Sequence, residues 1–272
     1  MVKGKTSSAP TRRSALAVPG IAIRLVRREG LLGVVRHVSW RLLGNRSDYQ
    51  KRVAGMQGLE VGGPSRVFGD RDLLPIYPIV GSLDNCVYSA ATFFWQATKQ
   101  YQFHPAKAPG RTIIAEGSEL GFIDNNSYDF VIASHALEHF ANPVKALREW
   151  RRIIKKGGAL ILVLPDGRKT FDHRRPITSV AHMYEDYQRG VGEDDLTHLS
   201  EILALHDLRK DPEGGDAQAL EDRAQRNLEN RRLHHHVFSP ANSAELLAKV
   251  GFRIERVDTV PPFHIFILAT WI

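Results

Sequence analysis

The stretch AEGSELGFIDNNSYDFVIASHALEHFANPVKALREWRRIIKKGGALILVLPD, residues 115–166, carries the pattern that decides the fold. Two short apolar runs within it, YDFVIA at 128–133 and ALILVL at 159–164, are typical of strands buried on both faces. Between them, the apolar residues of 143–156 fall on one side of a helix, and Gly157-Gly158 follows as a stop signal. Strand, helix and strand in this order predict two parallel strands joined by a crossover helix.

The same alternation continues on both sides of this stretch. Earlier strands are predicted at 58–61, 75–80 and 111–115, and a helix at 240–250 is followed by strands at 252–260 and 264–271 that would close the sheet as an antiparallel pair. We therefore predict an α/β fold with a doubly wound, mostly parallel, seven-stranded sheet. Residues 166–236 are polar and rich in His, Asp, Glu and Arg, which predicts a largely helical insertion.

The composition is that of a globular protein, with 43% hydrophobic and 25% charged residues. No apolar run approaches the roughly 18 residues expected of a membrane-spanning helix. The single cysteine, Cys86, excludes an internal disulfide and fits a reducing compartment. The sequence predicts a cytoplasmic protein, with the inner membrane surface as an alternative location.

Basic residues crowd the start of the chain, since ten of the Lys and Arg residues fall within residues 1–46. We interpret residues 1–15 as a flexible basic tail and 16–50 as an amphipathic helical segment. Such a helix could pack its apolar stripe on its own domain or lie on an anionic membrane surface. Nucleic acid is a less favoured partner, because no module combining aromatic and basic residues follows.

The sequence GLEVGGPS at 58–65 predicts a strand that ends in an acid and runs into a glycine turn. Such a turn lets the backbone approach a nucleotide cofactor closely. Asp84 follows Glu60 by 24 residues, at a place where an acid can accept hydrogen bonds from ribose hydroxyls. The third glycine of a dinucleotide fingerprint is missing, which disfavours a nicotinamide cofactor.

Together these segments closely resemble the class I methyltransferases that use S-adenosylmethionine (SAM), particularly the type 11 group. The resemblance rests on Glu116, Leu120-Gly121-Phe122, Tyr128-Asp129-Phe130-Val131, Leu137-Glu138-His139 and residues 152–158. It implies a SAM-dependent methyltransferase domain over residues 51–272, in which residues 166–236 are an acceptor-site insertion.

The resemblance also implies a set of SAM-binding residues. Glu60 and the turn after it would flank the methionine part, Asp84 and Asn85 would hold the ribose, and Glu116 would sit near the adenine. The implied cofactor residues are Glu60, Gly62, Gly63, Pro64, Asp84, Asn85, Glu116, Gly117, Ser134 and His135. The turn Gly62-Gly63-Pro64 departs from the usual G-x-G of the family.

Methyl transfer mainly requires that donor and acceptor be aligned, and a hydroxyl acceptor also needs a base or a metal to remove its proton. We predict His173 as the base, with His139 and His235 as the next candidates. The predicted acceptor-binding residues are Asp166, Asp172, Arg174, His182, Asp186, His198, Glu201 and His236. Alternatively, several of these residues bind a divalent cation such as Mg²⁺, or the segment is a solvated lid without a specific site.

The FDHRRP motif at 171–176 and the His-rich segment resemble methyltransferases encoded with cell-surface polysaccharide enzymes. This resemblance implies O-methylation of a sugar or glycan hydroxyl. Two alternatives remain, namely an N- or C-methyltransferase acting on a small molecule and a nucleotide-binding protein without transferase activity. The sequence leaves the oligomeric state open.

Overall fold

The computed structural model describes residue 35 and residues 38–40, 45–91, 98–211 and 215–272, and an eight-stranded sheet runs through them. In spatial order the sheet is β3-β4-β2-β1-β5-β6-β8-β7. The strands are β1 Gln57–Val61, β2 Ser82–Val87, β3 Gln100–Tyr101, β4 Gly110–Ile114, β5 Tyr128–Ser134, β6 Ile154–Pro165, β7 Phe252–Val260 and β8 His264–Trp271.

The five strands β4, β2, β1, β5 and β6 are parallel, whereas β8 runs antiparallel between β6 and β7. The α/β class and the closing antiparallel pair are confirmed. The predicted strand count of seven is too low by one, because the two-residue strand β3 pairs with β4 at the sheet edge. A strand of two residues is too short to show a periodic pattern in the sequence.

The second strand was predicted in the wrong place, at 75–80 instead of Ser82–Val87. Residues 77–79 form a turn in the structure. Pro75 and Pro78 have no backbone N–H to donate to a neighbouring strand, which disfavours a central strand at these positions. This error shifts the predicted end of the second strand, and with it the predicted position of Asp84 relative to that end.

Seven helices lie in the described residues from 45 onward: α1 Arg46–Lys51, α2 Pro143–Ile153, α3 Val180–Arg189, α4 Leu199–Leu205, α5 Ala217–Gln225, α6 Asn227–Asn230 and α7 Pro240–Val250. The side chain of Asn142 accepts a hydrogen bond from the backbone N–H of Lys145 and caps α2, and Ser239 with Asn242 forms a capping box on α7. Helix α2 ends before the predicted Lys156, because β6 already begins at Ile154.

Apolar packing covers both faces of the sheet. Along β6, Leu160, Leu162 and Leu164 pack into one core cluster. The alternate residues Ile161 and Val163 pack into a second cluster on the opposite face. This alternation is what a doubly wound sheet requires, and each such fully buried side chain stabilises the fold by roughly 1.5–3 kcal/mol.

Most of the predicted amphipathic helix of the N-terminal region lies outside the described residues. Trp40 lies within this segment and is described. Its side chain is buried, donates from its indole nitrogen to the carbonyl of Leu73 at 3.0 Å, and packs on Phe266. This part of the segment therefore packs on its own core. Within the described residues, no helix has the length and apolar character needed to cross a membrane.

Helices α3 to α6 occupy residues 166–236, between β6 and α7, together with turns and extended stretches. We call this region the 166–236 segment. The assignment of residues 1–15, 16–50 and 51–272 to separate parts stays a prediction.

Candidate active site

The turn after β1 is built for close approach to a ligand. Gly62 has φ of 80°, a left-handed conformation that favours glycine. A Cβ at Gly63 would lie 2.4 Å from the carboxyl carbon of Glu60. Asn85 fastens the turn from β2, because its side chain accepts from the N–H of Gly63 at 3.0 Å and donates to the Gly63 carbonyl at 2.9 Å.

Glu60 supports the same turn from beneath. Its buried carboxylate accepts hydrogen bonds from the backbone N–H of Ser65 at 3.0 Å and from the hydroxyls of Tyr77 and Tyr101. Burial raises the pKa of Glu60 to about 7. The side chain therefore stabilises the loop from below.

A cavity of about 390 Å³ opens beside the carboxyl ends of β1, β2, β4 and β5. This volume is within the range of small-molecule sites. The strand ends contribute the turn at Gly62, Tyr88, Glu116 and His135 to its lining. The 166–236 segment contributes a second group of lining residues: Phe171, Asp172, Arg175, Glu193, Ile202, His206, Asp211, Leu220, Arg223, Ala224, Asn230, Arg231, Arg232, Leu233 and His234.

Six of the ten residues predicted to bind SAM line this cavity, namely Gly62, Gly63, Pro64, Glu116, Gly117 and His135. The other four do not line it. Glu60 and Asn85 hold the turn, and the buried hydroxyl of Ser134 has no hydrogen-bond partner in the described part of the chain.

Asp84 does not lie where the predicted ribose site placed it. Its carboxylate accepts hydrogen bonds from the backbone and guanidinium of Arg111, each at 2.7 Å, and from the hydroxyl of Tyr128 at 2.9 Å. Because β2 spans Ser82–Val87, Asp84 lies inside the strand, opposite Leu59, and not after the strand end. The misplaced strand at 75–80 was the source of this error.

A histidine and a carboxylate meet on the cavity wall formed by the 166–236 segment. Nδ1 of His234 lies 2.6 Å from Oδ2 of Asp172, and the other carboxylate oxygen accepts from Arg175 at 3.0 Å. Burial opposes the charge of Asp172, but His234 and Arg175 outweigh it and lower its pKa to about 2. Burial also opposes protonation of His234, yet Asp172 outweighs it, so the pKa of His234 is raised.

His139, one of the predicted bases, also lines the cavity. Its ring meets that of His234 edge-on at 4.7 Å, and its Nδ1 donates to the carbonyl of Leu233 at 3.0 Å. Burial lowers the pKa of His139 to about 4, so the ring is neutral at physiological pH. Glu138, His139 and His234 each offer one ligand atom within 4.8 Å of the others, so a cation could also bind there.

The other two predicted bases lie away from the cavity. Nε2 of His173 pairs with Asp207 at 3.0 Å. His235 is buried, and its Nε2 lies 3.0 Å from the side-chain amide of Asn227. Both rings are thus engaged in contacts that hold the 166–236 segment together.

Of the predicted acceptor-binding residues, Asp172 alone is among the described residues that line the cavity. Asp166 binds the guanidinium of Arg168 at 2.8 Å, Glu201 binds Arg175 at 2.8 Å, and Arg174 lies 3.6 Å from Asp207. The remaining four converge on a separate cluster: His182, Asp186, His198 and His236.

Sequence reasoning missed His234 as the candidate base, although it is the first of three consecutive histidines. Its partner Asp172 is 62 residues away in the chain, and no spacing rule connects the two. Arg231, which lines the cavity, was also absent from the predicted site residues. Its guanidinium hydrogen-bonds to Glu116 and lies 5.3 Å from the ring centre of Tyr88, so it links the 166–236 segment to the ends of β4 and β2.

Parts of the chain are similar to known proteins. Residues 87–162 match the family model described as a methyltransferase domain. A 56-residue stretch is 38% identical to an uncharacterized protein of Methanocaldococcus jannaschii, covering 21% of this chain and 27% of that protein. The chain thus spans about a quarter of the length of the curated relative it matches.

Solved methyltransferase structures are also similar to the chain. A SAM-dependent methyltransferase from Aquifex aeolicus is 13% identical, with 88% of this chain and 95% of that chain covered and a TM-score of 0.44. The methyltransferase CalH in complex with S-adenosylhomocysteine (SAH) is 19% identical, with 92% of this chain and 62% of that chain covered and a TM-score of 0.46.

The family match begins at the last residue of β2 and ends within β6, so it contains Glu116, Gly117 and His135 of the cavity. The glycine turn after β1 completes the same cavity. Residues 87–162 therefore carry the sequence pattern of a methyltransferase domain.

Proposed function

We propose that this chain is an O-methyltransferase that transfers the methyl group of SAM to a hydroxyl of a polar acceptor, with a sugar or glycan as the acceptor class. One observation carries the proposal. The pair formed by His234 and Asp172 lines the same cavity as the glycine turn and supplies a positioned base for a hydroxyl proton.

The chemistry follows from the geometry of this pair. With Nδ1–H of His234 donated to Asp172, the lone pair of the neutral imidazole is on Nε2. SAM held at the glycine turn would supply an electrophilic methyl group for the acceptor oxygen, with SAH as the leaving product. The hydroxyl proton passes to Nε2 of His234, and the carboxylate of Asp172 stabilises the imidazolium that results.

The acceptor class is supported by the character of the wall that the 166–236 segment contributes. Arg175, Glu193 and Arg223 place charged groups among apolar residues such as Phe171. Phe171 stacks on His206 at 4.5 Å, which gives that wall a flat aromatic surface. Groups that hydrogen-bond beside an apolar face suit a polyhydroxylated ring.

An amine acceptor is the alternative, and Glu193 favours it. This carboxylate lines the cavity, and burial raises its pKa to about 7. A buried acid of this kind could pair with a protonated amine. An N-methyltransferase would not need His234 as a base once its amine is neutral, so the response to removal of His234 separates the two functions.

Contact of the basic N-terminal residues with a lipid-linked acceptor or a membrane surface stays a proposal, because residues 1–34 lie outside the described part of the chain. The opposing proposal is that the basic face is solvated while the apolar stripe packs on the core. Vesicle binding with and without anionic lipid would separate the two.

The first experiment is a calorimetric titration with SAH, followed by transfer of a labelled methyl group from SAM to a panel of free sugars, nucleotide sugars, catechols and amines. Micromolar SAH binding, roughly −8 kcal/mol, is expected. Transfer to a sugar hydroxyl would support the proposal. Transfer to amines alone would establish the alternative, and SAH binding without transfer to any acceptor would favour a non-catalytic role.

The pH dependence tests the base directly. Because only neutral His234 can accept the proton and Asp172 raises its pKa, turnover should rise with pH through a value above the ordinary value of 6.5. Asp172→Asn removes the charge that raises this pKa, so the rising limb should move to lower pH while maximal turnover falls. An unchanged limb in this variant would exclude His234 as the titrating base.

A further inference from the structure

A second cluster of titratable side chains lies in the 166–236 segment, outside the cavity lining. It consists of His182 and Asp186 on α3, His198 directly before α4, and His236 on the extended stretch before α7, and we call it the α3–α4 cluster. Each residue offers one ligand atom, and all four atoms lie within 4.8 Å of one another. His182 and Asp186 are one helical turn apart, which places them on the same face of α3.

The distances within the cluster are those of ligands around one ion. Nε2 of His182 lies 3.0 Å from Nε2 of His198 and 3.3 Å from Oδ2 of Asp186. Ligands held about 2.0–2.1 Å from a tetrahedral zinc ion are about 3.3–3.5 Å apart. Small side-chain adjustments would therefore complete the coordination.

Protein contacts alone leave this cluster incompletely satisfied. Oδ2 of Asp186 and Nδ1 of His236 are buried and have no hydrogen-bond partner in the described part of the chain. Nε2 of His236 donates to the carbonyl of Ala141 at 3.1 Å, which leaves the lone pair of that ring on Nδ1. A buried polar atom without a partner destabilises the folded state, and a cation would satisfy both atoms.

We propose that His182, Asp186, His198 and His236 bind a divalent transition-metal ion of the zinc class. Three imidazoles and one carboxylate suit zinc and its neighbours, whereas Mg²⁺ prefers an all-oxygen shell. The predicted Mg²⁺ is therefore the wrong ion for this donor set. Four protein ligands make a closed site, which is typical of a structural ion and not of one that activates a substrate.

The position of the α3–α4 cluster indicates what a bound ion would do. None of its four residues is among the described cavity-lining residues, but His236 follows the candidate base His234 by two residues. The ion would join α3 and the start of α4 to the stretch that carries His234. It would thus hold the acceptor wall in place. This inference does not depend on the proposed O-methylation, and its test does not use methyl transfer.

The test is metal analysis of the purified full chain by mass spectrometry, without chelators, together with zinc titration of chelator-treated protein. The wild type should bind one zinc ion per chain. Asp186→Asn and His198→Ala should each weaken zinc binding at least tenfold. His173→Ala, in the same segment, and His139→Ala, in the cluster of Glu138, His139 and His234, are the matched controls and should retain the ion. Folding of each variant is checked by circular dichroism and SAH titration.

Cobalt substitution of the wild type provides a measurement that does not depend on variants. Bound Co²⁺ should give the intense visible absorption of a tetrahedral site, and excess Mg²⁺ should not displace it. Three results would overturn the proposal: no stoichiometric zinc in the wild type even after titration, undiminished binding in Asp186→Asn and His198→Ala, or loss of the ion in His139→Ala with retention in those two variants.

Discussion

The two walls of the cavity are built from different parts of the chain. On one wall, which we propose binds the cofactor and call the cofactor wall, short turns at strand ends present glycine backbone, as at Gly62, Gly63 and Gly117. On the other wall, which we propose binds the acceptor and call the acceptor wall, the 166–236 segment presents charged side chains that are paired over long sequence distances, such as Asp172 with His234. The cofactor wall thus depends on backbone shape, and the acceptor wall depends on electrostatics between side chains.

The pKa values of the carboxyl groups near the two walls are set by different causes. Under the glycine turn, burial without a cationic partner raises the pKa of Glu60 to about 7. On the acceptor wall, cationic partners overcome burial and lower the pKa of Asp172 to about 2. Substitutions on the two sides should therefore separate cofactor binding and stability from turnover, and the following predictions test this separation.

The largest effect is expected on the acceptor wall. His234→Gln removes the base, and turnover on a hydroxyl acceptor should fall about 10²- to 10⁴-fold while SAH affinity stays within a factor of about three. Steady-state kinetics and calorimetry measure the two quantities. His173→Ala is the control, because His173 pairs with Asp207 away from the cavity and should retain turnover. Equal losses in both variants would mean that the segment, and not its base, is required.

The second-largest effect is expected on the free energy of unfolding, through Glu60, which supports the glycine turn. Glu60 has a folded-state pKa of about 7 against an ordinary 4.5, so its ionised form is disfavoured in the folded state. Its contribution to stability is full below pH 4.5 and is lost as pH rises through 7. Between pH 5 and pH 8 the wild type should lose roughly 2–3 kcal/mol more unfolding free energy than Glu60→Gln.

Denaturant unfolding at the two pH values measures this difference. Glu119→Gln is the control, because the exposed Glu119 pairs with Lys145 at the surface. It should show the same pH response as the wild type. Parallel pH responses of wild type and Glu60→Gln would show that Glu60 titrates normally.

A smaller effect is expected from the glycine turn itself. Gly62→Ala and Gly55→Ala both place a side chain at positive φ, 80° and 73° respectively. Each should cost about 1–2 kcal/mol of stability. Only Gly62 lines the cavity, so only Gly62→Ala should also weaken SAH binding, by about tenfold. Normal SAH affinity in a folded Gly62→Ala protein would remove this turn from the cofactor wall.

The smallest effect is expected at Asp84. Asp84→Asn weakens the contacts with Arg111 and Tyr128, and because Arg111 is largely exposed the loss of stability should be about 1 kcal/mol. SAH affinity should not change, since Asp84 does not line the cavity. A strong loss of SAH affinity in this variant would restore Asp84 to the cofactor site. Thermal unfolding and calorimetry give the two values.

Much of the cofactor wall could be predicted because its residues directly follow strands that are recognisable by their apolar runs. For this reason Glu116 and His135 line the cavity at strand ends, and their contact with the cofactor stays a prediction. Asp84 was misplaced because β2 begins later than Pro75, and a shift of strand boundaries moves a side chain from the strand end into the strand. On the acceptor wall the prediction found the right segment, but it selected His173 in place of His234.

The residue pattern alone sufficed to predict the alternation of the main strands and helices, the glycine turn after β1 and the closing antiparallel pair. These features depend on residues close together in the chain, through periodicity, capping and backbone freedom. Only the tertiary structure decided which histidine meets Asp172 and that His182, Asp186, His198 and His236 converge. Those contacts depend on how α3, α4 and the extended stretch at 234–236 pack against one another, and residue spacing does not encode that packing.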